Sequence, residues 1–167
     1  MPIHLAIIAL LSFPLLGHRP ESQTQFRHFG AWVLRVSDDR FSDRLICQLS
    51  AHGVEYGRGA LVFHLPRTVD TAAAVYRIDG GDPVDIRNEQ LEMAHLGFAV
   101  EEDSLANPSG GLVRIPQARA RSGHKVQIEA GGRGKIFTFK VDGLAAALDA
   151  ADQAGCLPDR FMLQTTP

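Results

Sequence analysis

The chain reads as a mainly β protein, an antiparallel β-sandwich or barrel-like body with one C-terminal α-helix. Three observations predict this. Short runs rich in β-branched, aromatic and aliphatic residues recur along the body. Clusters of Gly, Pro, Asp and Ser punctuate them as turns. Only one stretch, close to the C-terminus, repeats apolar residues at helical spacing.

The first feature in chain order lies outside that body. Residues 5–16 (LAIIALLSFPLL) are apolar and uncharged, and the polar stretch HRPESQTQ follows Gly17. The run fits the hydrophobic region of a secretory signal peptide, whereas about 18 or more apolar residues are needed to span a bilayer. The expectation is a signal peptide and polar leader over 1–23, cleaved between Gly17 and Gln25, then a single β-rich domain over 24–167. The alternative is an N-terminal helix packed on the domain. A mature chain made this way has no stable membrane span and is periplasmic or secreted.

Within the body, residues 31–36 (AWVLRV) and 44–49 (RLICQL) read as a first hairpin across the turn SDDRFSD. Leu45, Cys47 and Leu49 share one face of its second strand by the period-two rule, which points Cys47 inward. The Gly-rich GVEYGRG leads to a third strand at 60–65, closed by Pro66. Residues 72–78 and 84–87 flank DGGDP as a second hairpin. The stretch 88–107 is ambiguous: LEMAHLGFAV fits a short helix or a strand, with a strand or short irregular element preferred, and EEDSLANPSGG reads as a loop. Residues 112–115 form a strand, and QARARSG a short helix or turn. Residues 125–130 and 135–141 make the clearest hairpin, with Phe137, Phe139 and Val141 on one face. Asp142 can cap a helix over 143–154, where Leu144, Ala147, Leu148 and Ala151 recur on one side and Gly155 ends the run.

Composition bounds the function. Of 167 residues, 17 are basic and 19 acidic, a formal charge of −2 with a pI near 6.4. A general nucleic-acid binder would carry a basic excess, so nucleic acid is not an expected partner. Cys47 and Cys156 are the two cysteines, and export to an oxidising compartment favours pairing them. The alternative is two buried thiols. Without a C-x-x-C motif, redox catalysis has no support.

Candidate site residues are few. The histidines outside the leader show no H-x-H or H-x-x-x-H spacing, so zinc is not expected, and no cofactor is implied. His64 and Arg67 flank Pro66 at a strand end, where binding groups can gather. Asp79, Asp82, Asp85 and Glu89 surround one turn; the preferred reading is that they keep a hairpin soluble and blunt its edges, with calcium the alternative, since carboxylate oxygens suit that ion although the spacing is not that of an EF-hand. GGRGK at 131–135 lacks the full phosphate-loop spacing and precedes a strand, so it reads as a hairpin turn. Its Arg133 and Lys135 join Arg114, Arg119, Arg121, Lys125 and Lys140 in a basic stretch, read first as a solvated face and alternatively as one that meets anionic lipid, glycan or peptidoglycan. No G-x-S-x-G elbow is present.

The early tryptophan strand, the cysteine on the next strand and the ending IPQARARSGHKVQIEAGGRGKIFTFKVDGLAAALDAADQAGC resemble small secreted proteobacterial proteins of the invasion-associated locus B type. The pattern is similar also to the periplasmic accessory protein associated with type VI secretion, in which a last strand runs into a G-x-x-x-A-L helix ending near a cysteine. Trp32, Cys47, Phe137, Phe139, Gly143, Ala147, Leu148 and Cys156 carry the resemblance, over roughly residues 31–156. It implies a β-rich protein of the bacterial envelope or exterior and transfers no catalytic residue. The expected function is non-catalytic binding of a protein or envelope component. The alternative is a periplasmic hydrolase or metal-dependent enzyme using His64 with nearby acidic loop residues.

Overall fold

Runs of apolar residues build two antiparallel sheets, most strands burying one face by alternation and β5 (Ala60–His64) burying both. The computed structural model describes residues 24–39, 44–98, 106–107, 111–131 and 134–156. The leader and Arg133 lie outside the described residues. The larger sheet contains β1 (Gln25–Phe29), β2 (Trp32–Asp38), β3 (Leu45–Ala51), β4 (Val54–Gly57), β5 (Ala60–His64), β8 (Ala106–Asn107) and β9 (Leu112–Pro116). Its order is β1-β2-β3-β4-β5-β9-β8. The smaller sheet orders β11 (Lys135–Lys140), β10 (Lys125–Ala130), β6 (Val75–Ile78) and β7 (Val84–Asp85) as β11-β10-β6-β7. The mainly β, sandwich-like class read from the sequence holds.

The inner face of the large sheet presents Trp32, Leu34, Cys47, Leu49, Val54, Tyr56, Leu61, Phe63, Val113 and Ile115, all buried. Tyr76, Val126, Ile128 and Phe139 of the small sheet belong to the same core. The Phe63 and Phe139 rings meet edge-on at 5.1 Å. Each such large apolar side chain contributes about 1.5–3 kcal/mol by leaving water, so the two faces hold each other in place.

Helix α3 (Leu144–Gln153) completes the inner layer. It packs on β1 and β2 and buries Leu144, Ala147, Ala150 and Ala151. Cys156, just beyond it, forms the disulfide with Cys47 on β3, with Cα atoms 5.9 Å apart. The residue that begins α3 is Gly143, in a left-handed conformation (φ 86°) without a side-chain cap. The expected Asp142 cap is therefore replaced by a backbone arrangement. A Cβ on Gly143 would stand 2.3 Å from the Phe29 carbonyl oxygen, so only glycine lets the chain pass there. The Asp142 carbonyl instead accepts from the Ala31 N–H at 3.0 Å. Beside it, the buried Trp32 indole Nε1 donates to the Val141 carbonyl at 3.0 Å. These bonds join the β1–β2 turn to the end of β11.

Several elements differ from the sequence reading. The expected first hairpin is the β2–β3 pair, and β1 precedes it as an additional strand. GVEYGRG is not a connection but contains β4, flanked by two-residue turns. Arg58 (φ 51°) and Gly59 (φ 80°) make the second of these, the positive-φ pair that matches strand twist in a tight hairpin. Strand β6 starts only at Val75, after a turn in which the Ala74 N–H bonds to the Thr71 carbonyl. The partner strand stops at Asp85, whose carboxylate accepts from the Arg87 N–H and starts a 3-10 turn, Ile86–Glu89. Helix α1 (Gln90–His95) follows, the short helix of the two alternatives and not the preferred strand or irregular element. Its Met93 is buried and the helix packs on β9, a tertiary contact that overrides a weak local pattern. Helix α2 (Gln117–Ala120) is the short helix expected after Pro116.

Candidate functional site

His64 ends β5 on the outer face of the large sheet. Its Nε2 lies 3.7 Å from Glu55 Oε1 of the neighbouring β4 and makes no hydrogen bond. Val62 and Glu55 are direct cross-strand partners, and His64 stands two residues further along β5 on the same face. Arg67 is exposed in the turn beyond Pro66. Lys135 begins β11 in the other sheet, with its Nζ 5.1 Å from the Phe137 ring centre. His64 and Lys135 thus stand on different sheets. The loop after Arg67 and the β10–β11 turn do meet, through the Gly131 N–H bonded to the Asp70 carbonyl.

The acidic candidates are occupied with local structure. Asp79 accepts from the backbone N–H groups of His124 and Lys125 at 2.8–3.1 Å and lies 3.3 Å from His124 Nδ1. The His124 backbone bond is the main reason its carboxyl sits below the ordinary value. Asp85 is held by Arg87, whose side-chain bond lowers its pKa before the cap bond adds to the effect. Asp82 is exposed. Among the described residues no group of three or more His, Cys, Asp or Glu side chains is arranged to hold a metal ion.

Glu89 has a different role, which the sequence did not separate from its acidic neighbours. It is 1% exposed. The Tyr76 hydroxyl donates to its Oε1 at 2.7 Å and Arg119 Nε to its Oε2 at 3.2 Å. Burial, reinforced by the carboxylate, pushes the Tyr76 hydroxyl well above its usual pKa. The same carboxylate raises Arg119, whose guanidinium also reaches Glu92 at 3.6 Å. A buried carboxylate needs such partners to offset desolvation. This triad anchors the 3-10 turn and α2 to β6.

Among the described residues, several members of the basic stretch are paired or set apart from one another. Arg119 is paired as described, Arg121 bridges to Asp149 at 2.7 Å, and Lys125 lies opposite Lys140 at the end of β11 remote from Lys135.

Two clefts are open at the surface. One, of about 250 Å³, is lined by Tyr56, Gln117, Arg121, Leu148, Asp149 and Cys156, among others. The other, of about 300 Å³, lies between Asp70, Val75, Glu129 and Gly134. Neither contains His64, so the histidine and its acid neighbour have no pocket of these two to act in.

The most exposed binding geometry is the edge of the large sheet. Strand β1 ends the sheet order, and its residues are exposed except for half-buried Phe29. Phe26 is 60% exposed. The two-residue turn makes Phe29 and Trp32 exchange both ladder bonds, and alternation then directs the N–H and C=O groups of Phe26 and His28 away from β2. This edge was hidden because QFRHF continues the polar leader. Its Phe26, His28 alternation ahead of Gly30 was the available signal.

Among the described residues no helix is long and apolar enough to cross a membrane. No family model matches the chain, and neither the curated proteins nor the solved structures contain a match.

Proposed function

We propose that this chain is a non-catalytic, exported domain of the bacterial envelope that binds a protein by taking an extended segment of it as an added strand on β1. The observation that carries this is the exposed edge, where Phe26 and His28 direct backbone donors and acceptors to solvent beside an exposed aromatic ring. Strand addition supplies affinity through main-chain bonds and specificity through alternate side chains. Export is supported by the apolar leader run and the disulfide, since such bonds persist in oxidising compartments. The families that the sequence resembles belong to the same compartment.

The test is capture from envelope extract under non-reducing conditions, comparing the wild type with His28→Pro. Proline removes an outward N–H while sparing the β1–β2 ladder, a position where edge strands tolerate it. A protein retained by the wild type and lost by the variant is expected. Equal capture by both, or by neither, would overturn the reading. The mass of the exported protein, with and without reductant, checks leader cleavage and the disulfide together.

A further inference from the structure

Two guanidinium groups flank β1, and neither makes an ion pair with a carboxylate among the described residues. Arg27 stands on the strand's inner side, opposite Leu34, and is exposed. Arg35, on the outer side of β2, lies with its guanidinium carbon 5.9 Å from the Phe26 ring centre and donates to the neutral Gln48 amide at 3.2 Å. Among the described residues of this hairpin and its turn contacts, the carboxylates lie toward the ends. Asp142 lies against Gly30 at the turn, and Asp38 closes β2 beyond the last paired residue of β1.

We infer that the segment β1 accepts is acidic, with a carboxylate opposite Arg27 and apolar or aromatic side chains opposite Phe26 and His28. This rests on the strand-addition reading of the same edge. In an added strand the residue opposite Arg27 shares its face. A carboxylate there completes a cross-strand ion pair, whereas a lysine is repelled. The flanking residues fall on the outer face, where a ring or branched chain covers Phe26. Aromatic and β-branched neighbours are the pairs that stabilise such a row. The partner is therefore an extended stretch with an acidic residue opposite Arg27 between two apolar ones.

Two peptides matched in length to the five residues of β1, identical except for Glu or Lys at the centre, distinguish the possibilities. Backbone amide shifts read their binding to the full chain, its Arg27→Glu variant and its His28→Pro variant. The Glu peptide is expected to bind the wild type about threefold more tightly, an advantage that shrinks at high salt. Arg27→Glu is expected to reverse the order, and His28→Pro to abolish binding of both. Equal binding of the two peptides that His28→Pro still removes would overturn the acidic preference and leave strand addition standing. Binding unaffected by His28→Pro would overturn strand addition itself. Binding by neither peptide, with the Phe26 and His28 amides already slow to exchange in the protein alone, would show the edge covered by this chain or a second copy and overturn both.

Discussion

Replacing both Cys47 and Cys156 by alanine is expected to cost the fold about 4.8 kcal/mol. The bond closes a segment of 109 residues. On the chain-entropy account, a closure of that length removes about 16 cal/mol/K from the unfolded chain, or about 4.8 kcal/mol near room temperature. Cys47 is 0% and Cys156 4% exposed, so the lost sulfur atoms leave packing defects that add to the effect. For a domain of this size the change corresponds to a fall in Tm of roughly 15 °C. Urea unfolding followed by far-ultraviolet circular dichroism, oxidised wild type against the double variant, measures the difference. Dithiothreitol should lower the wild-type midpoint toward that of the variant but leave it somewhat higher, because the reduced protein keeps both buried sulfur atoms. A difference below about 2 kcal/mol would refute the claim that this closure restrains the unfolded chain as the model requires.

Other perturbations follow from the same geometry. Glu89→Gln exchanges a charge-assisted bond to Arg119 for a neutral one and should cost about 1–2 kcal/mol by chemical denaturation. Trp32→Phe leaves the Val141 carbonyl without its buried donor, a loss of about 1–3 kcal/mol measurable the same way. Gly143→Ala sets a methyl group 2.3 Å from the Phe29 carbonyl oxygen and should lower stability by more than about 1 kcal/mol, visible as a lower Tm. Tyr56 and Tyr76 are the chain's two tyrosines, and burial is the chief cause that raises both hydroxyls above the ordinary tyrosine value of about 10. Their contribution is complete below pH 10 and is lost as pH rises beyond it, so absorbance should show tyrosinate only when alkaline unfolding begins. Asp79 and Asp85 shift the other way. Their contribution is present above the ordinary carboxylate range and fades as pH falls through the depressed native values, which a series of Tm measurements below about pH 5 would register.

Particular residues explain how much of this was legible beforehand. The hairpin β10–β11 and helix α3 follow from strict periodicities, and Cys47 follows from its alternation with Leu45 and Leu49 on a strand. Strand β4 escaped because its turns are so short that their glycines and Arg58 read as one flexible loop. Strand β1 escaped because an edge strand needs no apolar face, and its residues are as polar as the leader before them. Helix α1 is set by tertiary contact, chiefly the burial of Met93 against the body. At the candidate sites, sequence spacing grouped Asp79, Asp85 and Glu89 as one acidic cluster. Folding gave them separate roles as a clasp, a cap and a buried anchor. Only Glu89 combines near-complete burial with both a hydroxyl and a guanidinium donor, a distinction no linear pattern could show.

The covalent link has a topological side as well. It encloses every element from the middle of β3 to the end of α3 within one ring of chain and leaves β1 and β2 outside. Within the described fold, the β1–β2 hairpin is therefore a flap that the disulfide does not tie down. What holds the flap down is the β2–β3 ladder, the contacts of α3, and the Trp32 and Ala31 bonds to Val141 and Asp142. The strand proposed to recruit a partner is thus the outermost part of a latch whose hinge is β3, so tension on a captured segment would be transmitted to Trp32 before it reached the ring.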